Sequence, residues 1–155
     1  MEITHAPQDR QPLFVDRGRI VARRPDLSME LLNMDGGLLR AIHVRALGAV
    51  LTGDDLVVLV RHQLRDYSAS TGDVRHVWPL PDVPGAKLDD AARGVVVYTV
   101  GGVAHLLRLR DGAEATVPGA RNAELTDAGL FYSFAGKKPW PGRIRFVPFA
   151  ELPLP

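Results

Sequence analysis

Apolar and polar positions along this chain fall into short runs of strand type. Leu56-Val57-Val58-Leu59-Val60 and Val95 to Val100 are continuous and rich in β-branched residues, the pattern of a strand covered on both faces. Val74 to Trp78 and Val103 to Arg110 alternate apolar with polar, as a half-exposed strand does. Leu64 to Ser68, Ala113 to Val117 and the short Ala49 to Leu51 supply further strands. Between them lie turn signals: Ser70-Thr71-Gly72-Asp73, Gly101-Gly102 and Asp111-Gly112. The first quarter of the chain offers Arg19 to Ala22, Met29 to Asn33 and Leu38 to Val44, broken by Asp35-Gly36-Gly37. The last offers Leu130 to Phe134 and Arg143 to Val147 around a turn region at 136–142, then stops one strand short. A helix over 26–51 is the rival pattern, supported by Leu27, Leu31, Leu38, Ile42 and Leu47. It would hold Gly36 and Gly37 mid-helix at roughly 1 kcal/mol each. Ile42 and Val44 also alternate with His43 and Arg45, which favours strands.

These runs repeat. Phe14, Leu51, Leu88 and Leu125 are spaced by 37 residues, and Ala49, Ala86 and Ala123 precede the last three at the same offset. A fixed period of this length marks a repeat architecture, in which no unit buries its apolar face alone. The units are 12–48, 49–85, 86–122 and 123–155, each a four-stranded meander, with 1–11 a spare N-terminal segment able to close the last unit. The four anchors are expected to be equivalent, buried and on the innermost strand of each unit. Four strands per unit, a period near 40 and glycine-rich hairpins predict an all-β protein of four β-propeller blades.

Three segments carry a family resemblance: Leu125 to Tyr132, Asp66 to Gly72, and the closing Gly142 to Phe149. Through them the chain resembles the TolB-like and related WD40-like bacterial β-propellers over roughly residues 12–150. No Trp-Asp pair ends a third strand, and four blades are fewer than that group commonly has. The resemblance implies the fold and leaves function open, because propellers host unrelated activities. An open row of four blades leaves its outer faces uncovered. The expected assembly is therefore a homodimer, two half rings closing an eight-bladed ring if each blade turns by about one eighth of a circle. A closed four-bladed monomer and a segment of a longer propeller are the alternatives.

Composition narrows the partners. With 19 basic and 18 acidic residues the formal net charge is +1, which gives no steering field for nucleic acid or membrane. The cluster Arg17, Arg19, Arg23 and Arg24 reads as a charged strand edge that blocks unwanted pairing. No cysteine is present, so thiol chemistry is excluded. No apolar stretch approaches the roughly 20 residues of a membrane span. Residues 1–11 carry no apolar signal-peptide core. The chain as given reads as cytoplasmic, or as exported if it is a segment of a longer protein.

Candidate chemistry is sparse. Asp16, Asp54, Asp55, Asp89, Asp90 and Asp127 are expected at the turn after each first strand, near one mouth of a propeller channel. There Asp54, Asp90 and Asp127 are candidate ligands for a cation such as Ca²⁺, although aspartate also builds such turns by itself. The five histidines show no ligand spacing, and no G-x-S-x-G elbow surrounds Ser68, Ser70 or Ser133. Arg61 and His62, in one hairpin, and Lys137, Lys138 and Trp140, in another, are candidate binding-surface residues. The function this implies is a non-enzymatic propeller module that binds a protein or peptide, with no cofactor. Two alternatives remain open: a propeller enzyme of lactonase or lyase type with a channel metal, and a partial propeller that assembles only with itself or with missing blades.

Overall fold

The computed structural model describes residues 9–134 and 142–155. The chain forms two compact units, Met1–Leu80 and Pro81–Pro155. In the first, β1 (Gln11–Asp16), β2 (Arg19–Arg23), β3 (Met29–Asn33) and β4 (Leu38–Ile42) make one antiparallel sheet in chain order. β5 (Gly48–Thr52), β6 (Asp55–Val60), β7 (Gln63–Ser68) and β8 (Val74–Pro79) make the second. In the other unit, β9 (Lys87–Ala92), β10 (Val95–Val100), β11 (Val103–Arg108) and β12 (Ala113–Val117) form a third four-stranded meander. β13 (Ala120–Leu125), β14 (Gly129–Phe134) and β15 (Arg143–Pro148) form a sheet with three strands among the described residues. The rival helix over 26–51 is replaced by β3, β4 and β5, in line with the glycine pair and the alternation around Ile42. The one helical element described is the turn Phe149–Glu151, so no described helix is long and apolar enough to cross a membrane.

Each unit holds its own core. In the first, β1 lies beside β5, and Val21, Leu31, Leu51, Leu56 and Val58 pack between the two sheets. In the second, β9 lies beside β13, and Val97, Leu106, Leu125 and Leu130 do the same. The tight turns explain the meanders. Arg17-Gly18 and Arg93-Gly94 each place two successive residues at positive φ, 44° and 80° in one and 49° and 75° in the other. That geometry matches the twist of paired strands and suits glycine at the second position. Asp111-Gly112, by contrast, closes a four-residue loop, since Arg108 pairs with Ala113.

The strict 37-residue anchor needs correction. All four anchors lie on the first strand of a sheet, but only Leu51 and Leu125 are buried. Phe14 and Leu88 are half-buried. The ladders give the reason. One step back from the turn, Val15 pairs Ile20, Leu51 pairs Leu56, Ala91 pairs Val96 and Leu125 pairs Leu130. These are the equivalent positions, and their spacing is 36, 40 and 34 residues. The third sheet adds one residue as a bulge at Asp89, opposite Val97 and Tyr98, and the longer β8–β9 connection supplies the rest. Asp89 and Asp90 therefore lie within β9 and not at a turn, whereas Asp54 and Asp127 do lie in turns. Pro79 likewise ends β8, an edge strand, where a missing donor is tolerated.

Candidate functional site

Within each unit the junction between its two sheets is bolted by arginine. Arg19 Nη2 donates to the Gly53 carbonyl at 2.6 Å, and Arg93 Nη1 donates to the Asp127 carbonyl at 3.2 Å. Both bonds link residues 34 apart, running from the first hairpin of one sheet to that of the next. Arg23 reaches the Ala46 carbonyl at 3.3 Å and Gln11 at 2.6 Å, and Arg24 faces the buried Glu30, which Arg10 also meets at 2.6 Å. The amino-terminal arginine cluster is thus spent largely on internal contacts.

The aspartates singled out as ligands are also engaged in building the fold. Asp54 accepts from Ser68 Oγ at 2.9 Å, from Ser70 N at 2.8 Å and from Ser70 Oγ at 2.5 Å, and it pairs with Arg75. The Ser70 bonds hold its carboxyl below the ordinary aspartate range. It clasps the β7–β8 turn to the β5–β6 turn. Asp90 accepts from Ala91 N at 2.9 Å and from Leu125 N at 2.8 Å, tying β9 to β13, and burial raises its pKa. Asp127 sits in the β13–β14 turn, where its carbonyl takes the Arg93 bolt. Among the described residues, no group of three His, Asp or Glu side chains is placed to hold a metal ion.

The most displaced acid is Asp66, 1% exposed on β7. Burial, then the neighbouring Asp55 charge, pushes its pKa up to about 6. His76 Nδ1 stands 3.5 Å from its Oδ2. Tyr98 is similarly raised by burial and donates to Glu114 at 3.0 Å. Asp66 and Tyr98 line neither of the two grooves described next.

The first groove, about 600 Å³, lies in the first unit. It opens where the β4–β5 connection meets the β6–β7 hairpin. Val44, Leu47 and Val60 line it with apolar surface, and Arg45, Arg61, Arg65 and His43 supply its polar groups. Backbone bonds fix the connection: Val44 N to the Ile42 carbonyl, Ala46 N to the Leu27 carbonyl and Leu47 N to the Leu59 carbonyl, at 2.8 to 3.0 Å. The hairpin is tight, with Val60 paired to Gln63 and His62 held at φ 61°, a region non-glycine residues seldom occupy. Arg61 Nε donates to His62 Nε2 at 3.0 Å, and Arg65 Nε donates to Gln63 Oε1 at 3.1 Å. A second groove, about 420 Å³, lies in the other unit and is lined in part by Arg121, Arg145, Tyr132 and Phe134.

Of the residues expected on a binding surface, Arg61 lines the first groove and His62 adjoins it. Lys137, Lys138 and Trp140 lie outside the described residues, as do residues 1–8 of the closing segment expected over 1–11, of which Gln11 begins β1. Sequence reasoning missed His43, Arg45 and Arg65. The available signal was that Arg45 and Arg61 both border predicted breaks between strands.

No family model and no curated protein matches the chain. Solved structures do. The computationally designed Ika4 protein matches with a TM-score of 0.60 at 11% identity, over 94% of this chain and 96% of its own. BamB from Moraxella catarrhalis matches with a TM-score of 0.60 at 15% identity, over 85% of this chain and 47% of its own. The Pan2 WD40 domain of Neurospora crassa matches with a TM-score of 0.57 at 10% identity, over 94% of this chain and 50% of its own. The fold is that of β-propeller blades. The chain spans about half the length of the BamB and Pan2 propellers it matches.

Proposed function

We propose that this chain is a non-enzymatic β-propeller module, of the TolB-like and WD40-like bacterial kind, that binds a protein or peptide. The observation that carries the reading is the groove at the β6–β7 hairpin. It combines apolar surface with convergent donors on a backbone fixed by hydrogen bonds, as binding sites do. Selection of peptides from a displayed random library on the purified chain tests it. Binders are expected whose capture is lost in the Arg61→Ala/Leu47→Ala variant. Binders indifferent to that variant, or none at all, would count against this groove.

A second copy of the chain is the other partner with an observation in its favour. Phe131, Ile144 and Phe146 are 37%, 79% and 44% exposed on the last sheet, more apolar surface than a lone strand pair usually shows to water. In that reading the native mass by light scattering is twice 16.9 kDa, and Ile144→Lys returns it to one chain. A wild-type protein that runs as a single chain at micromolar concentration would remove it.

A further inference from the structure

We infer that the groove of Arg45, Arg61 and Arg65 takes the carboxylates of an acidic, partly apolar peptide segment. The inference rests on the binding-module reading and names its ligand. Three arginines and His43 line this groove, and among the described residues no Asp or Glu does. Four other arginines of this chain are held by internal carboxylates: Arg10 and Arg24 by Glu30, Arg75 by Asp54 and Asp55, Arg108 by Asp111. Among the described residues Arg45, Arg61 and Arg65 have no carboxylate partner. Their side-chain hydrogen bonds among the described residues use Nε of Arg61 and Nε of Arg65. Those bonds fix the planes of the two groups and leave the paired terminal nitrogens for a ligand. A planar fork of donors matches a carboxylate in bidentate fashion.

The placement makes the cluster a site and not a scatter of surface charge. Arg65 shares its face of β7 with Val58 across the ladder, and Val58 belongs to the core between the two sheets. Arg61 stands on a two-residue turn, and Arg45 on a connection bonded at Val44, Ala46 and Leu47. Leu47 is 55% exposed beside them, so apolar ligand side chains find a surface between the charges. Nucleic acid is the rival polyanion. It calls for aromatic platforms and a basic field, and among the described residues no Phe, Tyr or Trp lines the groove, while the chain carries a net charge of +1.

The test is fluorescence anisotropy of the full chain with three labelled dodecapeptides, alternating leucine with glutamate, glutamine or lysine. The glutamate peptide is expected to bind at least roughly tenfold tighter than the glutamine one. Its binding should weaken as salt rises and be lost in Arg45→Gln/Arg61→Gln/Arg65→Gln. In Arg61→Glu/Arg65→Glu the preference should pass to the lysine peptide. Equal binding of the glutamate and glutamine peptides overturns the acidic ligand and leaves the binding module standing. Failure of all three peptides overturns the acidic peptide too, and then only the library selection speaks for the module. A labelled single-stranded oligonucleotide that binds and competes at this groove would replace the peptide with nucleic acid.

Discussion

Leu51 and Leu125 are 1% and 3% exposed, and each faces another buried leucine across its hairpin. Replacing either by alanine should cost roughly 2–5 kcal/mol, read from urea denaturation. Leu88→Ala should cost less than about 2 kcal/mol, because its half-buried side chain leaves a smaller cavity. Equal losses at Leu51 and Leu88 would restore the strict 37-residue equivalence. Gly129 supplies a sharper case. A Cβ there would meet the Val147 carbonyl oxygen at 2.2 Å and the Phe146 ring at 2.7 Å. Gly129→Ala should therefore cost roughly 1–3 kcal/mol by overpacking the β14–β15 ladder. Asp66 titrates against the fold. Its folded pKa of about 6 lies above the ordinary 3.8, so the native state holds the proton longer than the unfolded chain does. Its contribution to stability is greatest below about pH 4 and is lost as pH rises through 6. Asp66→Asn should be more stable than the parent by about 1–2 kcal/mol at pH 7 and no different at pH 4. A gain that persisted at pH 4 would place its origin outside this titration.

At the scale of elements, the two arginine bolts make blade pairing a matter of turn chemistry as well as apolar packing. Arg93 donates to the Asp127 carbonyl and lies 4.3 Å over the Phe149 ring. Arg93→Ala should cost roughly 0.5–1.5 kcal/mol, given its exposure. Amide exchange in the β13–β14 turn should speed up while β11 stays protected. The strands themselves were legible because apolar alternation and Gly-containing turns act locally. Met29 to Asn33 and Ala113 to Val117 are read from sequence with their observed ends. The register between blades was not legible. A longer β8–β9 connection and a one-residue bulge at Asp89 leave no mark in composition, so a period counted on Leu88 slips three positions from Ala91. The groove was legible only at Arg61 and His62. Its other walls, Arg45 and Arg65, come from a connection and a strand that meet through β6, by the Leu47 N bond to the Leu59 carbonyl and the β6–β7 ladder. Asp54 and Asp90 read as ligands because sequence suggests an aspartate at a turn, but not the Ser70 amide or the Leu125 amide that they accept from.

At the scale of the molecule, charge is nearly balanced, 19 basic against 18 acidic residues, so no global field gathers partners. The concentration of arginine at one hairpin acts only within a screening length of about 8 Å at physiological ionic strength. In the acidic-peptide reading the groove divides its labour in time. Guanidinium groups would reach a carboxylate before contact, whereas Val44, Leu47 and Val60, which also line the groove, would act only once water has left. Salt should slow the capture of an acidic peptide and leave its escape almost unchanged. Leu47→Ala should do the reverse, hastening escape at an unaltered rate of capture. Stopped-flow traces of the two perturbations would separate a rim that recruits from a floor that retains.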